Sequence, residues 1–152
     1  MSDPLTFDSA TPRLALPLLF VGQAQKEAFV NEALSLVDGL LHCAVEAVLN
    51  TPPPAPLDGQ AWLVGTSPTG AWSGKAGHLA LRQGGNWLFA PPRDGMRVLD
   101  RSTGQDRRYH DEWRAPSVPA APTGGTTIDA EARTAIAGII ASLREAGLLP
   151  QP

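Results

Sequence analysis

Glycine and proline punctuate this chain about once every five residues, with 15 of each in 152. Proline fixes φ and removes a backbone donor, and glycine weakens any helix it interrupts, so long helices are confined to the few stretches free of both. The remainder must fold as short strands joined by turns. Hydrophobic residues make up 43% of the chain, enough for a core, while charged residues are only 18% and leave the surface weakly charged.

The net charge of −3 argues against a nucleic-acid partner, because phosphate recognition needs concentrated positive surface. Arg101, Arg107, Arg108 and Arg114 form a locally basic stretch, but Asp100, Asp106, Asp111 and Glu112 interleave with them. Together they read as a solvated mixed face. The opening Met-Ser-Asp-Pro lacks the basic flank and apolar run of a secretory signal, so synthesis in the cytoplasm is expected. The longest apolar stretches are broken by Pro17, Asp38, Gly39 or Glu46, too short for membrane insertion.

Residues 1–22 read as an extended arm interrupted by Pro4, Pro12 and Pro17, with Leu14, Leu16, Leu18, Phe20 and Val21 in need of cover. A helix is predicted at about 24–38, where Val30, Leu34, Val37 and Leu41 recur at spacings of four and three. Asp38-Gly39 is read as its stop. The same stripe runs on through Ala44 and Val48, yet Leu41, Cys43, Val45, Ala47 and Leu49 alternate as a strand does, and a strand at 41–49 is the preferred reading. Thr51-Pro52-Pro53-Pro54-Ala55-Pro56 is a polyproline II spacer. Strand-like runs follow at Ala61–Val64, His78–Arg82, Trp87–Ala90, Met96–Leu99 and Arg107–Tyr109. Gln83-Gly84-Gly85-Asn86 is the strongest hairpin signal, since both central residues tolerate positive φ.

Residues 115–126 read as a flexible linker, and a second helix is predicted at about 128–146. Thr126, Thr127 and Asp129 offer N-cap chemistry, Ala132, Ile136, Ile139, Leu143 and Ala146 form its stripe, and Gly147 serves as C′. The fold class is therefore α+β and mainly β: a small antiparallel module with an N-terminal helix and a C-terminal amphipathic helix. Its parts are an attachment arm and helix (1–40), a β-rich module (41–114), the linker (115–126) and an oligomerisation helix (127–149). Val30, Leu34, Val37, Ile136, Ile139 and Leu143 are the candidate oligomerisation residues, and isoleucine-rich seams favour a trimer.

Chemistry is harder to find. His42, His78 and His110 stand at no metal-ligand spacing, so no metal or cofactor is expected. Cys43 sits in an apolar run and reads as a small buried hydrophobe. Gly70-Ala71-Trp72-Ser73-Gly74 is neither a phosphate loop nor a nucleophile elbow. No catalytic residues are assigned. Instead Trp62, Trp72, Trp87, Tyr109 and Trp113 gather in the turn-rich middle, where aromatic faces could stack on sugars. Core filling is the preferred role for each tryptophan, since the residue buries a large area. Trp72, flanked by small residues, is the best candidate for exposure.

Leu18-Leu19-Phe20-Val21-Gly22-Gln23-Ala24-Gln25-Lys26-Glu27 and Asn31-Glu32-Ala33-Leu34 resemble the opening of the phage-associated domain-of-unknown-function family 2793. Its further elements match Pro52-Pro53, Gly59–Val64, Thr69–Gly74 and Gly85–Pro92 in order, and the similarity spans about residues 14–114. The family's third hairpin usually reads Tyr-x-Tyr-x-Gly-x-x-Trp. Here Arg107-Arg108-Tyr109-His110-Asp111-Glu112-Trp113 stands instead. The resemblance implies a structural or adhesive virion component, a tail fibre or head spike of a phage-like particle or gene transfer agent. Its expected partners are copies of itself, other virion proteins and host surface polysaccharide. The rival readings are a cell-wall or capsule polysaccharide hydrolase and a purely mechanical connector.

Overall fold

The computed structural model describes residues 9–22, 26–125 and 129–152. The predicted helix start at residue 24 and the caps Thr126 and Thr127 lie outside them. The chain forms two compact units, Met1–Pro92 and Arg93–Pro152. Their boundary falls within the span 41–114.

In the first unit the helix α1 covers Lys26–Leu40, running through the Asp38-Gly39 pair that reads as a stop. It continues because both residues are needed inside. Asp38 is buried, and its carboxylate accepts from Thr11 Oγ1 at 2.7 Å, Leu14 N at 2.7 Å and Arg13 N at 3.2 Å. Gly39 lies against β4 (Leu79–Gln83): a Cβ there would stand 2.4 Å from Leu81 Cδ1. The Arg13 guanidinium takes up carbonyls at the helix end that lack intrahelical donors, Asp38 and Gly39, and also donates to those of Leu41 and His42 just beyond it. The turn itself falls at His42, with φ of 50°.

The expected strand at 41–49 is two short pieces, β1 (Ala44–Val45) and β2 (Val48–Leu49). β2 lies parallel to β3 (Ala61–Val64), with Val48 opposite Leu63. β3, β4 and β5 (Asn86–Ala90) follow antiparallel, completing a sheet in the order β2-β3-β4-β5. The Gly84-Gly85 hairpin forms as predicted: Gln83 pairs Asn86 and both glycines have positive φ, 53° and 74°. Ala61, Leu63, Leu79 and Leu81 share one sheet face by register, and α1 ends against it. Trp62, Val64, Ala80, Trp87 and Phe89 share the other.

The second unit is a meander of β6 (Arg97–Asp100), β7 (Gln105–His110) and β8 (Glu112–Arg114), all antiparallel. Fully buried Asp100 organises the first turn, accepting from Ser102 N at 3.0 Å, Ser102 Oγ at 2.6 Å and Arg107 Nε at 2.7 Å. Asp94 organises the second. It accepts from the backbone of Asp111, whose φ is 59°, and approaches His110 Nδ1 at 3.2 Å, and these bonds hold its carboxyl below the usual aspartate range. Helix α2 spans Ala130–Glu145, with Asp129 Oδ1 accepting from Ala132 N at 2.8 Å as its N-cap. Gly147, φ 69°, donates to Arg144 O while Leu148 N donates to Leu143 O, the paired bonds of a Schellman ending. Beyond it, Gly147 O accepts from Asp106 N at 2.7 Å, Leu149 is buried, and Gln151 N donates to Thr103 O. The chain end is thus tied to the β6–β7 hairpin.

Candidate functional site

The sequence candidates for sugar stacking do not form a platform. Trp72, the best candidate for exposure, is 0% exposed, and Trp62 is buried beside it, so both fill the core. The cause is local. Asn50 O accepts from Thr69 N and Asn50 Oδ1 from Ser67 N, which draws the loop in, and a 3₁₀ turn at Gly70–Trp72 swings the indole beneath the sheet. The small neighbours that pointed to exposure instead let the ring enter. Trp72 meets Trp62 at 6.4 Å between centroids and Trp87 at 5.2 Å, while Trp62 and Trp87 are 5.6 Å apart. At the rim Arg82 lies over Trp87 at 5.2 Å and Lys75 over Phe89 at 5.3 Å. The three indoles spend their faces on one another and on these cations. In the second unit Tyr109 and Trp113 are cross-strand partners, half-buried and edge to face at 5.4 Å.

The opposite face of β6–β8 holds what sequence reasoning missed. The register sets Arg97 opposite Arg108 and Arg108 opposite Arg114, all exposed. The locally basic stretch is therefore not one mixed face. Alternation sends Arg107 to the Asp100 side and Arg108 to solvent, and Arg97 joins the latter from another strand. An open cleft of about 430 Å³ is lined by these three arginines with Asp106, Ala115, Pro116 and Leu148, and Arg107, bound to Asp100, also reaches its edge. A second depression of about 310 Å³ shares Arg97 and Arg108 and reaches His110. Only the strand register could have revealed this row, and it is set by two turns, one capped locally by Asp100 and the other by Asp94, seventeen residues from Asp111.

The oligomerisation candidates are largely on the surface. On α1, Val30 and Val37 are exposed and Leu34 half-buried, while the residues turned inward are Ser35, Asp38 and Gly39. Phe29 widens the outer stripe at 78% exposure, and Leu41 extends it. On α2, Ile136 and Ile139 are exposed and Leu143 half-buried, and no residue of that helix is buried.

Burial raises the Cys43 thiol to about 11, partly opposed by the nearby Arg13 charge, so it is a neutral thiol at physiological pH rather than a nucleophile. Among the described residues no group of His, Cys, Asp and Glu could hold a metal ion. No helix among them is long and apolar enough to cross a membrane.

A family model described as protein of unknown function (DUF2793) matches residues 30–114, more than half of the chain. The chain belongs to the DUF2793 family. No curated protein matches it. The DUF2793 match takes in the outer stripe of α1 from Val30 onward, the tryptophan cluster and the whole arginine row, and it stops short of α2.

Proposed function

We propose that this DUF2793 chain is a non-enzymatic assembly and attachment module of a phage-like particle, acting as a fibre or spike component. One observation carries the reading: the residues α1 buries fully are polar or glycine, while a stripe of large apolar side chains is left on its outside. Ser35, Asp38 and Gly39 are buried, whereas Phe29, Val30, Val37 and Leu41 face solvent. A contiguous stripe of that kind calls for a partner. Covering each of the four side chains would contribute roughly 1–2 kcal/mol, enough to drive association once ordering costs are met. The α2 stripe offers a second seam, and a homotrimer joined to other particle proteins is the assembly this reading favours. Membership of the family supports the phage connection through the resemblance described above. The exposed, charged sheet face of β6–β8 is the surface left for a host.

Analytical ultracentrifugation tests the assembly. The chain should sediment as an oligomer at micromolar concentration, and Val37→Asp should shift it to monomer without loss of secondary structure. A wild-type monomer indifferent to Val37→Asp would overturn the proposal. Incubation with host capsule and cell-wall fractions tests the rest. Retention without released sugar or peptide supports attachment, and release would replace it with a hydrolase.

A further inference from the structure

The exposed face of β6–β8 carries an arrangement that folding by itself disfavours. Arg97, Arg108 and Arg114 are direct cross-strand neighbours. Opposed residues point to the same face and strands lie about 4.8 Å apart, so the three side chains form a row about 10 Å long. Like charges in that register repel one another. Within the fold the offset is partial, since Asp94 feels the Arg108 charge and Asp106 shares the cleft without closing, among the described residues, an ion pair to the row. Arg107, turned to the other face, is bound to Asp100 at 2.7 Å, but among the described residues Arg97 and Arg108 close no ion pair, and Arg114 has only the exposed Glu112 at 3.3 Å. A pair that exposed is weak and readily exchanged.

We infer that this row is a binding site for acidic polysaccharide, with carboxylates of the polymer held by Arg97, Arg108 and Arg114. The inference rests on the attachment reading above and names the ligand class for it. Guanidinium forks match carboxylates bidentately, and these three stand ready in line. Asp106, in the same cleft, and Glu112 beside Arg114 are acceptors for the hydroxyls that separate acidic groups along a glycan. Ala115, Pro116 and Leu148 supply an apolar wall for the carbon faces of the sugar rings. A nucleic acid suits the site less well. Its backbone needs positive surface uninterrupted by carboxylates, and its bases need aromatic platforms, whereas Tyr109 and Trp113 alternate to the opposite face.

The test is binding of the full chain to polygalacturonate, to its methyl ester and to a single-stranded oligonucleotide, at low and high salt. Polygalacturonate should bind and weaken with salt, and the ester should not bind. Arg108→Ala should weaken binding roughly tenfold, the loss of one charge-assisted pair. The triple variant R97A/R108A/R114A should abolish it, and Arg108→Lys should restore only part. All three positions are exposed, and unchanged circular dichroism will show that the variants fold. Wild-type affinity in the triple variant, equal affinity for acid and ester, or preference for the oligonucleotide would each overturn the inference. Equal binding of acid and ester that the triple variant leaves intact would remove this site but keep the attachment reading. Failure to bind either polymer with retention by capsule would remove the inference alone, and failure to be retained by capsule and cell wall as well would remove both.

Discussion

The two helices of this protein have similar amphipathic stripes and opposite anchorage. α1 is held along its length by polar contacts: Asn31 exchanges hydrogen bonds with the backbone of Leu19 at 2.8 and 3.0 Å, Asp38 gathers the 11–14 turn, and Arg13 closes the C-terminus. α2 has no buried residue and is secured at its ends, through Arg133 to the carbonyls of Pro122 and Gly124 and through the tail that follows Gly147. An apolar stripe therefore does not reveal which side of a helix faces its own core. In α1 the polar partners decide it, and in α2 no side is buried.

The sharpest way to break this contrast is at Asp38. Asp38→Ala strands the Thr11 hydroxyl and the amides of Arg13 and Leu14, and should lower the unfolding free energy by on the order of 3 kcal/mol. Urea denaturation measures it, and a loss below about 1 kcal/mol would mean that α1 is held by its apolar contacts after all. At the other helix Gly147→Ala should cost about 1 kcal/mol, because the residue must adopt φ of 69°. Hydrogen exchange should show the Asp106 amide, which donates to Gly147 O, losing protection before the β6–β7 ladder does. The smallest effect is expected at Ile139, 59% exposed. Ile139→Ser should change the stability of the dissociated chain by less than about 0.5 kcal/mol. A larger loss at dilute concentration would show that α2 packs within its own chain.

What the sequence made legible was local chemistry. The Gly84-Gly85 hairpin and the Gly147 ending are each specified by residues within a turn of one another, and both form as read. The α+β, mainly β class also holds, with β2 and β3 paired in parallel where an all-antiparallel module was expected. The errors share a different cause. Trp72 stands out as the candidate for exposure because its neighbours are small, but Asn50, some twenty residues earlier, decides where the loop goes. Asp38-Gly39 reads as a terminator because its partners, Thr11 and Leu81, lie on distant segments. The arginine row is invisible in one dimension, since it joins three strands through their register.

The parallel pairing of β2 with β3 carries one more consequence. Parallel neighbours need a crossover, usually helical and a dozen or more residues long. Here residues 50–60 make it with no helix, and Pro52, Pro53, Pro54 and Pro56 fall within it. Each proline already restricts its own φ and its predecessor's conformation in the unfolded chain. The crossover is a stiff spacer before any contact forms, so closing the loop between β2 and β3 forfeits less chain entropy than a flexible segment of equal length would.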